Sequence, residues 1–140
     1  AEKGISEIQK ESTETLDCIF IKIGLSSDRK ELYRIIEDRV DNMMEHGLLD
    51  ETKRLLKMNP NKTALQALGY KEMALFLDGA ADLEEAVRLT KKRTKMYAKR
   101  QYTWFKKEPE IHWIDITGIM KAGEIFEKAI NDIEILKKLI

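Results

Sequence analysis

The stretch between Asp82 and Pro109 does most to limit what this chain can fold into. Asp82, with Glu85 three residues on, has the spacing at which a side-chain oxygen takes a free amide at a helix start. Pro109 cannot continue a helix, so the spacing predicts the chain's longest helix from Asp82 to about Lys107. Any fold must be organised around it. Leu83, Val87, Thr90, Thr94, Ala98, Gln101 and Phe105 fall on one stripe of that helix. The stripe starts apolar and then carries Thr94 and Gln101, which packing alone would not select.

The same helix concentrates charge. Lys91, Lys92, Arg93, Lys95, Lys99, Arg100, Lys106 and Lys107 follow one another with no acid between them. The net charge is zero, but the local asymmetry matters more for a polyanionic partner than the sum. Tyr97, Arg100 and Trp104 lie beside the stripe at spacings of three and four. A helix of this kind neutralises phosphates and stacks on exposed bases. The plainer reading, a solvated basic face with Tyr97 and Trp104 in the core, carries equal weight on composition alone. An acidic protein or a membrane surface would also suit a bare basic helix.

Upstream, Asp17 to Leu25 reads as a strand buried on both faces, ending at Ser26-Ser27-Asp28, where Asp28 and Glu31 repeat the capping spacing. Leu32, Ile35, Ile36, Val40, Met43 and Met44 then recur at helical spacing up to Gly47, a natural stop. Leu48 to Met58 forms a second helix, broken at Asn59-Pro60-Asn61. Thr63 to Gln66 opens a short third one, which Gly69 interrupts before Tyr70 to Leu77. A glycine there lets backbone approach a ligand and leaves amides at a helix start, which suits a phosphate or base edge. A simple kink, with Gln66 completing the Thr63 cap, is the favoured alternative. His112 to Asp115 suits a short strand and Ala122 to Leu139 a final amphipathic helix. The class expected is a predominantly α-helical fragment with two short β-strands. Two strands at opposite ends of a helical block make no stable sheet alone, so both are expected to pair with something else.

Other features exclude more than they propose. Cys18, the only cysteine, sits in an apolar run and reads as a buried thiol, and the segment through Glu14 as poorly anchored. No apolar run approaches a membrane span and the start has no signal pattern, so no membrane partner and a cytoplasmic location are expected. His46 and His112 lack metal-ligand spacing, so no metal site is expected in the chain. Asp50-Glu51 and Glu84-Glu85 sit at helix starts, where carboxylates complement the dipole. There is no G-x-x-x-x-G-K-[ST] loop and no nucleophile elbow, hence no catalytic residue to name.

Taken together, these segments resemble the tRNA dimethylallyltransferase (isopentenyl-diphosphate:tRNA transferase) family. The likeness runs through Ile5 to Lys10, Ile23-Gly24-Leu25, Asp28-Arg29, Arg39-Val40-Asp41 to Met44, Gly47 to Glu51 and Gln66 to Glu72. It is most specific from Tyr97 to Phe105, and continues through His112-Trp113-Ile114-Asp115. The resemblance implies a piece derived from a P-loop, kinase-like α/β protein that uses Mg²⁺. That enzyme moves a dimethylallyl group from dimethylallyl diphosphate to N6 of the adenosine 3′ of the anticodon. Residues 1–140 would be its C-terminal tRNA-binding portion, inactive alone. The phosphate loop and the Mg²⁺ site would lie in an N-terminal half outside this chain, with the two strands belonging to that half's sheet. The tRNA anticodon stem-loop would meet Gln66, Ala67, Leu68, Gly69, Tyr70, Lys71, Thr94, Lys95, Tyr97, Lys99, Arg100, Gln101, Thr103 and Trp104. Lys99 and Arg100 would hold phosphates, and Gln101 a base or the backbone. Two positions depart from the family pattern: Ile35 stands where an arginine is usual, and Lys95 keeps a charge but not arginine's bidentate geometry. A stand-alone helical nucleic-acid-binding module is the alternative, and a protein-interaction domain a third. A homodimer through an exposed strand edge around Cys18 to Leu25 is also open.

Overall fold

A computed structural model describes residues 20–61 and 63–138. The readings of Cys18, of the segment through Glu14 and of the start of the first strand lie outside the described residues. The element order is β1 (Lys22–Ser26), α1 (Arg29–Glu45), α2 (Leu48–Lys57), a 3₁₀ turn (Ala64–Gln66), α3 (Tyr70–Leu77), α4 (Leu83–Phe105), β2 (Ile111–Asp115), α5 (Ala122–Asp132) and α6 (Glu134–Lys137). Asp82 caps α4 as expected, its carboxylate accepting from the Glu85 amide at 2.7 Å. The final helix is two pieces: Ile133 leaves helical geometry (φ −110°, ψ 101°) and turns its side chain into the core.

The strands do not behave as two orphans. β1 and β2 pair with each other in parallel, Gly24 opposite Trp113 and Leu25 opposite Ile114. The stretch between them supplies the long crossover that a parallel pair requires. Local spacing could not reveal this partner, because the strands lie almost ninety residues apart. Gly24 is what permits the register: a Cβ there would sit 2.7 Å from Trp113 Cε3 and 2.8 Å from Ile111 Cγ2. Among the described residues each strand has no second neighbour, so the pair keeps two outer edges.

Two clusters form the core. Leu48, Met73 and Ala86 join α2, α3 and α4, with Met43, Tyr70 and Val87 against them. Ile114, Ala129 and Ile133 join β2 to the last helices. Thr94, which packing alone would not select on the α4 stripe, donates to the carbonyl of Thr90 at 2.8 Å, as Thr90 does to that of Ala86 at 2.9 Å. A threonine satisfied within its own helix packs like a small apolar residue, which removes the argument built on Thr94.

The loop after β2 locks the start of α1. Asp28 accepts from the amides of Lys30 and Glu31 at 2.8 and 3.2 Å. Glu31 does not reach back to complete the box. It accepts from the Gly118 amide at 3.0 Å, while the Asp28 amide donates to Thr117 Oγ1 at 2.8 Å. The Thr117 hydroxyl in turn donates to Asp115, whose carboxyl it holds below the usual range together with the Thr117 amide. Ile35 is half-buried on α1.

Candidate nucleic-acid interface

The glycine turn and the basic helix meet through one buried acid. Gly69 has φ +97°, a region L-residues avoid, so the backbone conformation rather than lack of space calls for glycine there. Its amide is not offered outward: it donates to Glu72 Oε2 at 2.9 Å. The other Glu72 oxygen takes the Arg93 guanidinium of α4, and Glu72 itself is fully buried. The Gly69 amide is therefore not free to meet a phosphate, and the turn also presents side chains.

Those side chains line a groove of 430 Å³ with α4: Gln66, Leu68 and Lys71 on one wall, Lys92, Arg93, Met96 and Arg100 on the other. Lys71 donates to Gln66 Oε1 at 3.1 Å, so Gln66 serves the groove rather than the Thr63 cap. Ala67 is exposed, and its carbonyl accepts from the Lys71 amide at 3.3 Å. Tyr70 points the other way. It packs on the Leu48 cluster and donates to Glu51 Oε1 at 2.6 Å, a bond that pushes its phenol above the ordinary tyrosine value.

On α4 the expected residues divide. Arg100 lies 6.0 Å over the Tyr97 ring, and Trp104 meets Phe105 edge-on at 4.9 Å while remaining 68% exposed. Lys99 is exposed, as is Thr103, whose hydroxyl donates to the Lys99 carbonyl at 2.9 Å. Lys95 turns towards α1 instead, pairing with Glu37 and lying 5.4 Å over Tyr33; that pairing holds the Glu37 carboxyl below its usual range. Gln101 faces a different hollow of 730 Å³, between α4 and the strand pair. Ile23, Leu25, Tyr102, Phe105 and Trp113 make that hollow apolar, with Tyr102 and Trp113 rings 5.8 Å apart.

Sequence reasoning missed Glu72 as an organiser, because its partner Arg93 is twenty-one residues away. It also missed the apolar hollow, whose walls come from both ends of the chain. Met96 could have been found: it is an apolar residue in the middle of the cationic face, 49% exposed.

Residues 1–108 match the model of the family described as IPP transferase. The chain belongs to the IPP transferase family. It is 54% identical over 123 residues to the tRNA dimethylallyltransferase of Thermodesulfovibrio yellowstonii, covering 83% of this chain and 39% of that protein. It is 47% identical over 138 residues to that of Dictyoglomus turgidum, covering 94% of this chain and 42% of the relative. The crystal structure of the tRNA isopentenylpyrophosphate transferase of Bacillus halodurans superposes with a TM-score of 0.73 at 40% identity, covering 85% of this chain and 41% of that one. That of Staphylococcus epidermidis gives 0.76 at 32% identity, covering 97% and 44%. This IPP transferase chain thus spans about two fifths of the length of the relatives it matches. Its helices and parallel strand pair are part of their P-loop-like fold. Among the described residues no helix is long and apolar enough to cross a membrane.

Proposed function

We propose that this chain is the tRNA-holding part of an enzyme that moves a dimethylallyl group from dimethylallyl diphosphate to N6 of the adenosine 3′ of the anticodon. The observation that carries the reading is the groove in which Gln66 and Lys71 of the glycine turn face Lys92 and Arg100 of α4. Cations on two walls suit a phosphodiester chain, and the exposed rings of Tyr97 and Trp104 suit unstacked bases. An enzyme acting on a base amine must take that base out of its stack, so a loop is a better substrate than a duplex. Lys99 and Arg100 hold phosphates in this account, and the Gly69 turn sets the opposite wall. Such a substrate places the enzyme in the cytoplasm.

The chemistry is assigned to residues beyond this chain. The sequence has no phosphate loop, and among the described residues no group of three His, Cys, Asp or Glu side chains fits a metal ion. A Mg²⁺ site is assigned beyond this chain too. The apolar hollow between α4 and the strand pair, with the two strand edges, is the surface on which the remainder of the enzyme would pack. Alone, the chain should bind but not transfer. Titration of a labelled anticodon stem-loop against a fully paired RNA of the same length tests the binding. Preference for the stem-loop supports the reading; equal affinity for the duplex contradicts it.

A further inference from the structure

The helices and the strands form two bodies joined at few points. Among the described residues no Cα atom of α1 to α4 lies within 8 Å of one in β1, β2, α5 or α6. Each body has its own core: Leu48, Met73 and Ala86 among the helices, Ile114, Ala129 and Ile133 under the strands. Between them lies the 730 Å³ hollow, where packed layers would interdigitate. The described chain crosses from one body to the other twice, through Ser27-Asp28 after β1 and through Lys106 to Glu110 after α4. Glu110 stands at φ +61° in the second crossing, a conformation that residues other than glycine seldom take.

The side-chain bridges across the gap are unequal. Tyr102 meets Trp113 with ring centres 5.8 Å apart, and Lys22 pairs with Glu108 at 2.5 Å. Both ends of that ion pair are open to water, so it adds little. The loop after β2 grips harder. Thr117 Oγ1 accepts from the Asp28 amide at 2.8 Å, and the Gly118 amide donates to both Glu31 oxygens at 3.0 Å. A hydrogen bond to a carboxylate is stronger than one between neutral groups. Thr117 is itself held at the end of β2, its hydroxyl donating to Asp115 at 2.5 Å and its amide at 2.9 Å. Two adjoining residues of the strand body thus hold the cap and the first turn of α1.

We propose that Thr117 and Gly118 are a strap that sets the angle between the two bodies. When the strap is released, the helical body turns about Ser27 and Glu110 and the hollow changes width. Hinges of this kind are a few residues at element ends that absorb the φ/ψ change while the bodies move as units. α4 is a long lever for such a turn. Its 23 residues carry a small rotation near Phe105 into a larger displacement at Leu83. The use of the strap rests on the reading above, since α4 must stand at a fixed distance from whatever completes the sheet. Thr117 and Glu31 are then positioning residues, acting through the place they give α4.

A distance between the two bodies tests this. With Cys18→Ser removing the native thiol, spin labels are placed at Glu84→Cys on the far end of α4 and at Glu127→Cys on α5. Thr117→Val with Glu31→Ala releases the strap; Thr117→Ser with Glu31→Gln keeps a hydroxyl and a carbonyl acceptor in place. The released variant, with its helical circular dichroism unchanged, should lose the single narrow distance of the parent and give a broad or shifted one. The conservative pair should keep the parent distribution. An unchanged distance in a folded released variant would overturn the strap, as would equal changes in the two variants. If the released variant does not fold, amide exchange in the parent decides. The Asp28 and Gly118 amides should exchange in step, and faster than those of Met73 and Ala129 in the two cores. Exchange out of step, or as slow as in the cores, would overturn the proposal. No RNA enters these measurements, so their failure leaves the tRNA-binding reading standing.

Discussion

Glu72 is fully buried and accepts from the Gly69 amide and the Arg93 guanidinium. A buried pair of this kind is costly to break from one side, since the remaining charge has no water to turn to. Arg93→Ala is expected to lose on the order of 3 kcal/mol in urea unfolding, whereas a surface change such as Lys92→Ala should stay within about 0.5 kcal/mol. Similar midpoints for the two would contradict the organising role. Tyr70 offers a second check at this scale. Its phenol is raised above the ordinary value of about 10 by the bond to Glu51. A raised folded value means the contribution is complete below the unfolded value and is lost as pH rises through the folded one. Glu51→Gln should bring the tyrosinate absorbance titration back down; an unmoved titration would separate Tyr70 from Glu51. At this scale the sequence was a fair guide to Gly69 as an interruption, and a poor one to Tyr70 and Thr94. Both of those residues are spent inside the fold on partners that residue type does not announce.

Elements were legible wherever the signal is local. The caps at Asp28 and Asp82, the stop at Gly47 and the end of α4 before Pro109 all rest on spacings of a few residues. The apolar period of the final helix persists through Ile133, so its sequence predicts one continuous helix. The break there follows from packing Ile133 beside Ile114, a tertiary effect. The strand pair was illegible for the same reason, since nothing near Ile23 names Ile111 to Asp115. Gly24 is where the pairing is most exposed to test. Adding a methyl group 2.7 Å from the Trp113 ring overpacks the sheet face. Gly24→Ala should therefore cost about 1–3 kcal/mol and shift the Trp113 fluorescence. An unaltered thermal midpoint would mean that the register is not held by this close approach.

For the whole molecule, zero net charge conceals a division of labour. Asp41, Glu37 and Glu72 take up Lys91, Lys95 and Arg93 of α4, and Lys92 and Arg100 face outward beside the glycine turn. Composition reports the sum and misses the division, because which lysine meets which acid depends on how α1 and α3 pack on α4. Family membership was legible from the order of short motifs, and the matching IPP transferase model bears it out over residues 1–108. Sequence alone could not show which face of α4 is open, and that face is where binding is assigned. The most direct measurement is a fluorescence-anisotropy titration of an anticodon stem-loop with the parent chain and with Lys99→Ala plus Arg100→Ala, repeated over a range of salt. Saturable binding by the parent, with weaker affinity and a flatter salt slope in the variant, is the expected result. An unchanged slope in a folded variant would contradict the assignment of this face to tRNA.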